Sequence, residues 1–179
     1  MTYSASLRRL YFVRFAFALV WVAVVFAIGD TAGPLLTTLL VIYPLFDALA
    51  VLWQLRADPD KTRAKTAEWV NVVVSVAIAI ALGISSSLSI SAAVAVWGAW
   101  AIVAGVPQLI AAIRNRRNGG QVPQMLSGGI SVFAGLGFLY QGVQGSAMVT
   151  GAAGYAALGA VFFLVSAIRL SLTLKKENA

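Results

Sequence analysis

Long apolar runs, interrupted by short clusters of charge, set the pattern of this chain. A hydrocarbon core about 30 Å thick takes roughly 20 helical residues at about 1.5 Å each. Six runs meet that need, near Leu10–Ile28, Pro34–Leu55, Thr66–Ile84, Leu88–Ile113, Pro123–Val143 and Met148–Leu172. Pro34 and Pro123 stand where a first helical turn accepts proline. The pattern predicts an all-α integral membrane protein, a single six-helix transmembrane domain over residues 1–179. The first run follows Arg8 and Arg9 as a leader would, but it exceeds the roughly 7–15 residues of a cleaved apolar segment and reads as a membrane helix.

Composition agrees. Hydrophobic residues make up 60% of the chain and charged residues 11%, with a mean hydropathy of +0.89. Soluble domains carry about 25% charged residues. With no cysteine and no histidine, the chain has no disulfide, no thiolate or imidazole metal site, and no Ser-His or Cys-His catalysis. Paired carboxylates within the bilayer are missing as well, so no enzyme and no cofactor is expected. Gly119-Gly120 reads as a turn, since neither a preceding strand nor a following Gly-Lys-Ser/Thr makes it a phosphate loop.

The charges change the picture further. All 13 Lys and Arg residues fall in four places: Arg8, Arg9 and Arg14; Arg56, Lys61, Arg63 and Lys65; Arg114, Arg116 and Arg117; Arg169, Lys175 and Lys176. The connections Gly29–Gly33, Ser85–Ser87 and Gln144–Ala147 hold none. The positive-inside rule then places both termini and the basic connections in the cytoplasm. The formal charge of +7 thus reflects topology and attraction to anionic lipid headgroups, not nucleic acid.

Short outer turns and longer inner connections imply three helical hairpins. These look repeated, because the second, fourth and sixth helices end in LWQLR, IAAIR and LVSAIR. Small residues recur every fourth position at Ser75, Ala79 and Gly83, at Ser127, Ser131 and Gly135, and at Ala152, Ala156 and Ala160. Such stripes let helices approach closely, within one chain or across a homo-oligomer face.

Asp47 is the polar residue hardest to place. It lies about 13 Å deeper than Arg56 along the second helix, where a carboxylate must face the bundle, a wet cavity or a partner. Burial favours its neutral form, so the expected role is a protonated hydrogen-bonding link between helices, with a proton relay or a contact at an oligomer interface as the alternatives. Tyr43, one turn away, is a candidate partner, and Asn71 and Gln108 can join if the bundle brings their faces together. Arg14 and Glu68 sit just inside the cytoplasmic ends of the first and third helices, where each can snorkel to the headgroups by itself or, if those helices are neighbours, the two can form an ion pair. Asp30 is expected in solvent. Pro44 and Pro107 interrupt the second and fourth helices, and Pro44 can kink its helix beside Asp47. Trp53 and Trp69 fit the interfacial aromatic belt, whereas Trp97 and Trp100 are expected to pack between helices.

Tyr43 followed by Asp47, then WGAWAIVAGVPQLIAAIR at Trp97–Arg114, MLSGGISVFAGLGFLYQG at Met125–Gly142 and the arginine-ended last helix, resembles the HdeD-like membrane proteins. These are six-helix bacterial proteins built from a short repeat of unknown function. Ala48 stands where the family usually has Gly, and the outer turns lack its prolines. The resemblance implies a bacterial inner-membrane protein linked in enteric species to acid resistance, with no assigned reaction. Two functions follow: a non-enzymatic structural or stress-response protein, or a small transporter, channel or proton-coupled carrier using Asp47.

Overall fold

The computed structural model describes residues 3–60, 62, 65–114 and 122–177. Lys61, Arg63, Arg116, Arg117 and Gly119-Gly120 lie outside the described residues, as do the side chains of Pro123 and Lys176. The chain is all-helical, with α1 (Tyr3–Ile28), α2 (Pro34–Ala57), α3 (Thr66–Leu88), α4 (Ile90–Arg114), α5 (Val122–Val143) and α6 (Val149–Glu177). Each of the six is long and apolar enough to cross a membrane. Large apolar side chains such as Leu49, Val73 and Phe133 face outward. Only lipid makes such a surface favourable, so this is a multi-pass membrane protein in contact with the bilayer.

The helices run past several expected ends. α1 begins well before Leu10 and takes Arg8 and Arg9 into its first turns. α3 does not stop at Ile84, because the three serines expected to form a turn continue the helix. Ser86 Oγ donates to the Gly83 carbonyl at 3.2 Å and Ser87 Oγ to that of Ile84 at 2.6 Å, the back-bonding that hydroxyls use within helices. Ser89 alone separates α3 from α4, and its Oγ accepts the Ala92 N–H at 3.0 Å as an N-cap. At the end of α5, Gly145 has φ +71°. The N–H of Ser146 reaches the Gln141 carbonyl at 3.1 Å and that of Gly145 the Gly142 carbonyl at 3.2 Å, a Schellman closure that needs a left-handed residue.

The six helices form a ring in chain order, closed by α6 against α1. The hairpin expectation describes the short connections, but the closest packing lies elsewhere, between α2 and α3, α4 and α5, and α1 and α6. The α4–α5 seam shows why. A Cβ on Gly98 would stand 2.6 Å from the Gly135 carbonyl oxygen, and one on Gly135 would stand 2.7 Å from that of Gly98. The two backbones touch there, which only glycine permits. On α3, Ser75 and Ala79 are buried and Gly83 faces Val41 of α2. Ala152, Ala156 and Ala160 are buried on α6. The core joins Trp21 and Val25 of α1, Leu40 of α2, Leu82 of α3, Trp97 of α4, Phe138 of α5 and Val149 of α6.

Asp30 is exposed but not left to solvent. Its carboxylate accepts the N–H groups of Val149 and Thr150 and the Thr150 hydroxyl, the last at 3.2 Å. It caps the start of α6, where the free N–H groups and the helix dipole favour an anion, and it fastens the α1–α2 turn to the last helix.

Candidate functional site

Asp47 stands one turn beyond Pro44, which is fully buried and withholds an N–H from the α2 ladder. The carboxylate meets two neighbours from different helices. The Arg14 guanidinium of α1 donates to Oδ1 in an ion pair, and Ser75 Oγ of α3 donates to Oδ2 at 3.1 Å. Both charged side chains are mostly buried, at 15% and 14% exposure. This corrects two expectations. Arg14 pairs with Asp47 rather than Glu68, because α1 packs on α2 and α6 and not closely on α3. Asp47 also does not meet neutral partners alone; it faces a permanently charged guanidinium. Arg14 is held from its other side by Phe163, whose ring centre lies 4.4 Å from the guanidinium carbon, a cation–π contact.

Beside this pair lies a cavity of about 500 Å³. Every helix contributes to its wall, and Tyr43, Asp47, Asn71 and Gln108 all line it. Asn71, Gln108, Gln124 and Ser166 line it toward the helix ends that carry Lys65, Arg114 and Arg169. Aromatic rings form the deeper part. Tyr43 sits 4.7 Å from Trp21 and 5.2 Å from Trp97 between ring centres. Trp21 and Trp97 stack at 5.3 Å, and Trp97 meets Trp100 edge-on at 5.4 Å. Phe17 stacks on Phe46 at 3.8 Å. Trp97 and Trp100, expected only to pack between helices, both line the cavity.

Ser127 and Ser131, read from sequence as packing residues, also reach the cavity. Tyr155 hydroxyl and Ser131 Oγ lie 2.8 Å apart, and Ser131 Oγ donates to the Ser127 carbonyl at 2.9 Å. The chain of bonds therefore runs from Tyr155 through Ser131 to the α5 backbone. Gly135 turns away from it to the α4 seam. Tyr155 was not anticipated; its one signal in the sequence is a lone phenol in the Ala/Gly-rich first half of α6. Two buried polar atoms have no hydrogen-bond partner among the described residues, Asn71 Oδ1 and Trp97 Nε1, and both side chains line the cavity. Trp21 shows the contrast, since its indole N–H donates to the Leu39 carbonyl at 2.7 Å.

Residues 70–140 match the family model described as a short repeat of unknown function, DUF308. That segment takes in nearly all of α3, all of α4 and most of α5, and so the glycine seam and one wall of the cavity. No curated protein and no solved structure matches the chain.

Proposed function

We propose that this is a non-enzymatic protein of the bacterial inner membrane that takes a small molecule into a cavity facing the cytoplasm, as the receiving site of a carrier. One observation carries the reading: about 500 Å³ of space lined by residues of all six helices, within the roughly 300–1,000 Å³ usual for ligand sites. A purely structural bundle would fill that volume with side chains, because protein interiors are close-packed. The cytoplasmic orientation rests on the basic connections. The non-enzymatic reading rests on a single carboxylate among the described residues of the wall, held by Arg14, and on a chain without histidine or cysteine.

Native mass spectrometry of the protein released from detergent micelles tests this. The wild-type protein should retain an adduct of a few hundred daltons that is lost from Ala104→Trp, a change that fills the cavity from its own wall. No adduct on either form would overturn the reading.

A second reading is a structural or acid-stress protein of the HdeD-like kind. The repeat match and the backbone-tight α4–α5 seam support it. It predicts that cells lacking the protein lose viability in acid and recover it with Ala104→Trp as well as with wild type.

A further inference from the structure

We infer that a groove on the outer face of the bundle, where the start of α1 meets the end of α6, is a binding site for an anionic phospholipid. The groove has a volume of about 550 Å³. Arg8, Arg9, Phe12, Val13 and Ala16 of α1 and Ser171 of α6 line it. The α1 residues recur at steps of three and four, so they form one stripe of the helix. Tyr11, Arg14 and Phe17 lie on a different face, which lines the cavity. Groove and cavity share no residue, and the inference is independent of the cavity reading.

Order along the helix argues first. Ala16 lies about 12 Å from Arg8 along the axis, most of the roughly 15 Å that is half of the hydrocarbon core. The two guanidinium groups therefore stand at headgroup level. Phe12, Val13 and Ala16, all exposed, stand below them at the depth of acyl chains. A phospholipid has the same profile, an anion above an apolar chain.

Charge argues second. Arg14 is bound to Asp47, but Arg8 and Arg9 make no hydrogen bond or ion pair among the described residues. No acidic residue is among the described residues of the groove wall. Two neighbouring guanidinium groups offer planar forks of donors that match phosphate oxygens. A zwitterionic headgroup places a second cation beside them, so an anionic headgroup is preferred.

Native mass spectrometry of delipidated protein in neutral detergent, titrated with phosphatidylglycerol or with phosphatidylcholine of the same acyl chains, tests the site. Phosphatidylglycerol should bind about tenfold or more tightly. Arg8→Gln combined with Arg9→Gln should abolish that preference. Arg56→Gln combined with Arg114→Gln removes the same charge from other helix ends and should preserve it. Ala16→Trp fills the groove while keeping both arginines. It should weaken phosphatidylglycerol about tenfold at unchanged melting temperature, because Ala16 is exposed. If Ala16→Trp does not yield monodisperse protein, the two arginine pairs decide. Equal losses from the two pairs mean diffuse attraction to basic surface and overturn the site. Wild-type affinity in folded Ala16→Trp overturns it too, as does phosphatidylcholine binding as tightly as phosphatidylglycerol. Displacement of the lipid by equimolar inorganic phosphate would make this a site for free phosphate instead. A wild-type dimer lost from the Arg8 and Arg9 variant would make the occupant a second copy of the chain. Either result overturns the assignment to lipid.

Discussion

Arg14 and Asp47, 33 positions apart on α1 and α2, form an ion pair inside the ring of helices, and Ser75 of α3 completes the carboxylate's second oxygen. Three helices are therefore joined at one point, on the wall of the cavity. Removing one member of a mostly buried pair leaves the other uncompensated, which costs about 3 kcal/mol or more. Asp47→Ala and Arg14→Leu should each destabilise the protein by about that amount in reversible unfolding from mixed micelles. The double variant should lose less than the sum of the two. Additive losses would show that the pair contributes no coupling.

The α4–α5 seam gives a sharper contrast. Gly135→Ala pushes a methyl group into the Gly98 carbonyl, only 2.7 Å away, and overpacking of this kind costs about 1–3 kcal/mol. Gly137→Ala, two residues on, meets nothing within 4 Å and should be neutral or stabilising by up to about 1 kcal/mol, from the better helix propensity of alanine. The same unfolding assay reads both. Equal effects at the two positions would contradict the seam.

Asp30→Ala removes the cap on α6. Loss of an N-cap costs about 1 kcal/mol, so the melting temperature should drop by a few degrees. Asp30→Asn, which keeps an acceptor oxygen, should retain most of the stability. A fall as large as that of Asp30→Ala would assign the effect to charge instead.

Topology is open to labelling, because the chain has no cysteine to remove first. Single cysteines at Arg56 and Ser87, at opposite ends of the α2–α3 pair, should react with a membrane-impermeant maleimide from opposite sides. Arg56 should react only in inside-out vesicles. Reaction of both from one side would overturn the six-span arrangement.

Much of the fold is legible along the chain because its signals are local. Twenty-odd apolar residues mark each helix, and the basic clusters mark alternate connections whatever the helices do in space. Where local chemistry misleads, it does so for local reasons: Ser85, Ser86 and Ser87 look like a turn, yet their hydroxyls satisfy the backbone of a continuing helix. The candidate site divides the same way. Asp47 stands out because a carboxylate in lipid needs a partner. Which partner depends on the neighbours α2 acquires, and nothing near Asp47 in sequence names Arg14. Glu68 is the partner suggested by helix ends alone. Trp97 and Trp100 look like packing residues because indole rings fill space; that they border a cavity depends on what the facing helices leave empty.

The contact between Asp30 and the start of α6 also orders events during synthesis. The residues it joins are 119 and 120 positions apart. The α2–α3 and α4–α5 pairs can dock as soon as their second member enters the bilayer, as helices that form first and associate afterwards do. α1 can meet α2 early through the Arg14–Asp47 pair, but its closest packing waits for the last helix. The bundle is therefore an open arc through most of its assembly, and the insertion of α6 both shuts the arc and sets Phe163 against Arg14. A chain cut off before Val149 would keep its two tightest neighbouring pairs and lose the enclosure.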